Sequence, residues 1–350
     1  MAFPAASLQP IGIRHGIRHC PGGDDESPCI NPGFGGRVYY VDPVNGSDLY
    51  DGRISYPIAA QLRGPWRTLT YAFSAAAPLG LASANVKGAY HDYLVMLPGA
   101  YSALETWPLT IPATKDNIHI IGNVVPGFNS PEIGTLAGAQ ALQPSLIIAG
   151  KGVTIEGIKI YGPAGDFPVV RINEEDTYIR YCWLRGNTDG GDVVEIPAAG
   201  NGNFSTLAHN WIDCYDGGNG RAIFLEEPSI TVYNNRIHSS YGGIELEDEA
   251  DWCKILWNRI YMAMADFVLA YGIHLMDCSG QNEIDENKIG PAIAGQAGVQ
   301  RRIFDESAKV SNFFGRNWQL GVYAAGPPAG INRAGDPITD GGVGTGYSRD

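Results

Sequence analysis

One pattern recurs six times between Lys151 and Gly290, and it limits what this chain can fold into. Aligned on Ile160, Leu184, Ile212, Ile237, Ile260 and Ile289, every repeat has an apolar residue five positions earlier: Ile155, Ile179, Leu207, Val232, Ile255 and Ile284. Successive anchors lie about 23 to 29 residues apart, the length of one coil in a solenoid. An apolar-x-apolar pair then follows five of the anchors at a variable distance: Val170/Ile172, Val194/Ile196, Ile223/Leu225, Ile244/Leu246 and Ile273/Leu275. Side chains of a strand alternate sides with period two, so each pair points inward and the residue between it points out. Helical repeats of this length would need apolar residues at i, i+3 and i+4, and these are missing.

The pattern predicts an all-β chain, a right-handed parallel β-helix (solenoid), with a short N-terminal capping helix and irregular terminal arms. Residues 1–36, rich in Gly and Pro and carrying the duplication Gly12–His15/Gly16–His19, read as an N-terminal arm. Residues 37–92 form an N-terminal cap, in which Leu69, Ala72 and Phe73 have helical spacing. Residues 93–323 form the β-helix, and 324–350 a Gly/Pro-rich C-terminal tail. Two before the anchors stand Asn210, Asn235, Asn258 and Asn287, which read as a turn ladder with amides bonded from coil to coil.

Tyr39–Gly52, then Gly64–Phe73, then Tyr93–Tyr101 and the repeated Asn-Arg-Ile rungs resemble the pectin-lyase-like β-helix superfamily over roughly residues 37–323. That resemblance implies the fold and leaves the activity open, because the scaffold serves lyases, hydrolases, epimerases, virus tailspikes and structural proteins.

Coils of such a solenoid repeat about every 4.8 Å, so outward residues line up in columns. The column before the anchors reads Lys159, Trp183, Trp211, Arg236, Arg259, Lys288, every member cationic or Trp. Trp faces stack on sugar rings and Arg or Lys hold carboxylates or sulfates, so this column is a candidate substrate-binding stripe; a solvated face or a protomer interface are the competing readings. The second column reads Arg171, Glu195, Phe224, Glu245, His274, with Glu174, Glu226, Glu227, Glu247, Asp248 and Asp277 beyond it. Glu245 and Glu247 join the substrate-binding candidates. Carboxyls one or two rungs apart suit retaining or inverting glycoside hydrolysis, and Glu195, Glu245, Glu247, Asp248 and Asp277 are a catalytic or Ca²⁺ candidate set.

Gly186–Asp192 (GNTDGGD) is similar to the Asn-Thr-Asp-Gly-x-Asp signature of polygalacturonases. The resemblance implies that Asp189 is a catalytic carboxylate, partnered by Asp213 or Asp216. No Gly-His-Gly or Arg-Ile-Lys follows, and turn chemistry also places Asn, Asp and Gly there. A lyase-like Ca²⁺ trio with an Arg base would be Asp213, Asp216 and Arg221, or Glu245, Glu247 and Arg259. Asp42, Asn45, Asp48 and Asp51 read as turn closers or a Ca²⁺ clip, and no cofactor is required. His15, His19, Cys20 and Cys29 match no standard zinc spacing; Cys20 and Cys29 are close enough in sequence to pair. Cys182, Cys214, Cys253 and Cys278 read as core or turn residues.

A net charge of −13 and a pI near 4.9 disfavour nucleic acid as a partner, and no apolar run has the length of a membrane span. No basic n-region followed by an apolar stretch is visible at the N-terminus. These features together favour a virion-associated structural β-helix of tailspike, head-spike or capsid-decoration type. It would contact other virion proteins, its own protomers as a homotrimer, or polysaccharide, and reside on a virion or outside the cell. The alternative is a secreted polysaccharide-degrading enzyme, a polygalacturonase-like hydrolase or pectate-lyase-like lyase acting on an acidic glycan.

Overall fold

The computed structural model describes residues 36–80, 91–122, 130–134, 143–163, 165–186, 191–214, 220–247, 249–262, 271–276, 280–291, 301–305, 312–319, 330–331 and 337–338. Their strands stack into three long sheets, each built from successive coils. The first sheet has ten strands, from Val38–Val41 to Phe313–Phe314. The second has nine, from Ala100–Tyr101 to Trp318–Gln319. The third has ten, from Leu109–Ile111 to Pro337–Ile338, and only its last pair is antiparallel.

The inward positions are those that the repeat picked out. Ile155, Ile179, Leu207, Val232, Ile255 and Ile284 lie in register along the first sheet and are all 0% exposed. The anchors form the matching column of the second sheet and the apolar pairs that of the third. Three strips of Ile, Leu and Val thus close a continuous core, each branched side chain resting on its equivalent one coil away.

From the coil of Thr154–Glu156 to that of Glu283–Asp285, the connection between the first and second sheets is a residue pair: 157–158, 181–182, 209–210, 234–235, 257–258 and 286–287. The first member of each pair is left-handed: Gly157, Tyr181, His209, Asn234, Trp257 and Glu286 have φ between 51° and 69°. The second member, from Asn210 onward, is the Asn ladder. Asn235 donates its amide to the Leu207 carbonyl (2.8 Å) and to Asn258 Oδ1 (3.0 Å), and Asn258 repeats this with Val232 and Asn287. The ladder extends one coil further than the sequence reading placed it, to Asn317, whose Oδ1 accepts from the Asn287 amide at 3.0 Å. Asn317 escaped notice because the anchor of its coil is Gln319 instead of an aliphatic residue.

The cap also differs in one respect. Its helix is the five-residue Leu69–Phe73, N-capped by Thr68, with Leu69, Ala72 and Phe73 buried as the spacing predicts. Val38–Val41, however, pairs in parallel with Asp92–Met96, so the stack begins at Val38 and not at Tyr93. The helix is an insertion between the first two strands of the stack. Lys115, fully buried, ties that insertion down by donating to the Ala77 and Leu79 carbonyls at 2.7 and 2.8 Å. The C-terminal tail is not wholly irregular, since Gly330–Ile331 and Pro337–Ile338 extend the third sheet.

Candidate functional site

The second sheet carries two outward columns. The first is Lys159, Trp183, Trp211, Arg236, Arg259 and Lys288, in register as expected. Two residues on stands a second column, Tyr161, Arg185, Asp213, His238 and Tyr261, which the sequence reading did not treat as a surface. Period two alone would have found it.

These columns interlock. Trp183 and Trp211 stack with centroids 5.6 Å apart, and each donates its indole N–H to one oxygen of Asp213 at 2.7 Å. Lys159 covers the far face of this stack at 5.3 Å from Trp183, while Arg236 lies over Trp211 at 4.7 Å. Lys159 also pairs with Glu132 at 3.0 Å. His238 Nδ1 is 3.4 Å from Asp213, and Arg236 Nε donates to His238 Nε2 at 3.2 Å. An accepting Nε2 puts the imidazole proton on Nδ1, facing the carboxylate. Burial, reinforced by the Arg236 charge, holds the His238 pKa below its ordinary value. Asp213, a sequence candidate for catalysis, therefore has both oxygens engaged in orienting two indoles. The lower half of the stripe is a closed cation–indole–indole–cation stack, with no indole face between Trp183 and Trp211 left for a sugar.

The third sheet gathers the acidic column. Arg221 makes a bidentate pair with Asp192 (Nε–Oδ1 2.9 Å, Nη2–Oδ2 2.8 Å) and donates Nη1 to Glu245 Oε1. The Tyr271 hydroxyl donates to Glu245 Oε2, and His274 Nδ1 lies 3.1 Å from the same oxygen. Burial opposes ionisation of Glu245, but these hydrogen bonds from His274, Tyr271 and Arg221 outweigh it and hold the carboxyl down at about 2. Asp192, Arg221, Glu245 and Tyr271 come from four successive coils, so the network ties rungs together. Neither Arg221 nor Asp192 was singled out with Glu245 from sequence, because residues 24 and 29 apart meet only once the coils stack.

One rung from Glu245 stands Phe224, and one further Glu195. Glu195 is paired with Arg171 at 3.6 Å, and burial pushes its pKa up. A polar pocket of about 430 Å³ adjoins, lined by Arg171, Asn173, Glu174, Pro197, Ala199, Gly200 and Asn201.

The other candidates divide. Asp189, Asp216, Asp248, Asp277, Cys278 and all of 1–35 lie outside the described residues. The described members of the lyase-type trios stand on different sheets: Asp213 and Arg259 on the second, Arg221 and Glu245 on the third. Glu247 lies half-buried just past the end of its strand. Asp42 closes a turn by accepting from the Val44 and Asn45 amides, and Asp51 accepts from Arg53 and Gly64, whereas Asp48 joins its loop to the start of the helix by accepting from the Arg67 and Thr68 amides. Among the described residues, no three His, Cys, Asp or Glu side chains cluster as a metal site, and no helix is long and apolar enough to cross a membrane. Cys182, Cys214 and Cys253 are buried, as their positions in the repeat predict.

Residues 145–300 match the family model for the right handed beta helix region. Among solved structures the chain is similar to a pectate lyase (12% identity, TM-score 0.51, covering 82% of this chain and 77% of that one). It is also similar to a rhamnogalacturonan lyase (13%, 0.50, 87% of each) and a pectin methylesterase from carrot (14%, 0.47, 86% of each). The fold is a pectin-lyase-like right-handed β-helix. No curated protein matches the sequence significantly. At these identities the likeness concerns the scaffold alone.

One feature of this β-helix was not legible as a site. The left-handed corner positions on both sides of the first sheet hold aromatic residues: Tyr181, His209 and Trp257 on one side, Phe204 and Trp252 on the other. Phe204, Trp252 and Trp257 are 59%, 60% and 53% exposed. A left-handed backbone costs a non-glycine residue about 1–2 kcal/mol, and the same columns use Gly152, Gly157, Asp176 and Asn234 where the cost is lower. Bulky aromatics are held in strained corners and turned to solvent.

Proposed function

We propose that this β-helix acts by surface contact, as a structural protein of a virus particle that bears on carbohydrate or on neighbouring copies of itself in a homotrimer. The observation that carries the reading is the band of solvent-facing aromatics around the first sheet: Phe204, Trp252 and Trp257 at its corners, with Tyr233 on a strand between them. Large exposed apolar groups at strained positions mark contact sites, because neither folding nor solubility favours them there. Two of the described carboxylates that suggested catalysis are meanwhile engaged in contacts between coils, Asp213 with two indoles and Glu245 with Arg221 and Tyr271. Native mass measurement together with co-sedimentation on particles tests the reading. A trimer, or retention on particles, is the expected result; a monomer without particle affinity would count against it.

A second reading, a hydrolase or lyase acting on an acidic glycan, is favoured by Glu195 and Glu245. They stand two rungs apart with pKa values pushed in opposite directions, as an acid and a base require. Incubation with acidic glycans, followed by assays for reducing ends and for unsaturated products, tests it; product formation lost in E195Q would establish the enzyme reading over the first.

A further inference from the structure

We infer that His238 is a proton-operated latch on the Trp183–Trp211 stack: by taking up one proton in mild acid, it releases Arg236 from the outer face of Trp211 and opens that indole to solvent. The latch lies on the second sheet and operates whether or not the contact reading above holds.

Besides the stack with Trp183, two groups hold the Trp211 ring, and His238 touches both. Arg236 lies over the indole at 4.7 Å, and Asp213 Oδ1 accepts the indole N–H at 2.7 Å. Arg236 is itself anchored by donating from Nε to His238 Nε2 at 3.2 Å, while His238 Nδ1 faces Asp213 Oδ1 at 3.4 Å. A neutral imidazole serves both neighbours at once, since one ring nitrogen accepts and the other carries the proton. An imidazolium serves only Asp213. Its Nε2–H cannot accept from Arg236, and two cations then stand at contact distance. The charged ring also draws Asp213 Oδ1 into an ion pair, in competition with the Trp211 N–H for that oxygen. One proton thus weakens both attachments of one ring.

The surroundings direct Arg236 outward when it is released. Among the described residues, the groups around His238 are Asp213 and Trp211 from the coil before, Arg236 on its own strand, and Tyr261 with Arg259 from the coil after. Asp213 is the one carboxylate of this set, and both its oxygens already accept indole N–H groups. Arg259 stands in register with Arg236, so its charge opposes a further cation. The Arg236 side of the stack is exposed, and the inward Ile212 and Ile237 are 0% exposed, so the guanidinium can swing into water without disturbing the core. The His238 side chain is 20% exposed and within reach of solvent protons. Burial, with the Arg236 charge added to it, holds its pKa below the ordinary 6.5, which puts the event in mild acid. The unfolded chain takes up this proton first. Stability therefore falls as the pH drops below about 6.5 and levels off once the folded ring is charged.

The test follows the full chain from pH 8 to pH 5 by near-ultraviolet circular dichroism, acrylamide quenching of indole fluorescence and the imidazole proton signals of NMR. Wild type should show one transition with its midpoint below pH 6.5, in which the stacked-indole signal changes and quenching rises while the far-ultraviolet signal stays constant. The chain has seven tryptophans and seven histidines, so W211F and H238Q assign the change. Both should lose it, since a glutamine gains no proton. In R236Q the quenching at pH 8 should already match the acid level of wild type, and the His238 midpoint should move up because a neighbouring charge is gone. No indole change between pH 7 and 5, an undiminished change in H238Q, or titration of His238 without any change at the indoles would each overturn the latch. If H238Q does not fold, R236Q decides alone: an indole as protected at pH 8 as in wild type would show that Arg236 never covered it.

Discussion

Trp183 and Trp211 lie one coil apart with their rings 5.6 Å between centroids and 28° from parallel, and a single carboxylate, Asp213, receives both indole N–H groups. The geometry explains why an aspartate beside two tryptophans is compatible with burial at 9% exposure. Two neutral donors, with His238 Nδ1–H nearby, satisfy the lone pairs that water would otherwise occupy.

Removing that carboxylate should loosen the stack. D213A is expected to lower stability by about 1–3 kcal/mol, the range for leaving buried hydrogen-bonding groups unsatisfied. The near-ultraviolet circular dichroism of the coupled indoles should fall with it. A D213A protein with unchanged near-ultraviolet signal would show that the stack forms without the pin.

The Asn ladder offers a sharper test of coil-to-coil coupling. Asn258 accepts from the Asn235 backbone and side chain and donates to the Val232 carbonyl and to Asn287. N258A should cost about 3 kcal/mol in denaturant unfolding, as several buried groups lose partners at once. N234A, at the exposed corner one residue before the ladder Asn235, should cost well under half of that; equal losses would contradict the ladder's role.

Acid stability should depend on Glu245. Its folded pKa of about 2 lies below the ordinary carboxylate value, so the folded state favours the ionised form. The stabilisation is complete above roughly pH 5 and is lost as the pH falls through about 2, on the order of 3 kcal/mol in total. E245Q should therefore be less stable at neutral pH and show a shallower loss between pH 5 and 2. Parallel stability curves for wild type and E245Q would remove Glu245 as the source.

Strain at the corners predicts an exchange of stability against contact. Asn adopts the left-handed backbone of Trp257 at lower cost, as Asn234 does in the same column. W257N should raise the unfolding free energy by up to about 1 kcal/mol while weakening whatever the exposed ring contacts. A destabilised W257N would mean that the indole packs on the protein instead.

The inward half of this protein was written plainly in its sequence. Ile155 through Ile284, the anchors and the third-sheet pairs recur because every coil must bury equivalent positions, and burial is a local requirement that periodicity records. The Asn column was legible for the same reason. The outward columns were legible as columns but not as chemistry. Trp183 and Trp211 looked like an open platform and prove to be a capped stack, because Lys159, Asp213 and Arg236 reach them from other positions and other coils.

What tertiary structure alone decided is which charges are neutralised. Arg221 meets Asp192 and Glu245, and Lys159 meets Glu132, while Arg259 and Lys288 form no carboxylate pair among the described residues. That outcome depends on side chains 24 to 29 residues apart arriving on neighbouring rungs, and on which face each strand turns outward. The sequence determined that a solenoid forms and what fills it. Stacking the coils decided which of its surface groups satisfy one another and which are left for a partner, because a Coulombic contact requires a distance of a few ångströms that no spacing along the chain specifies.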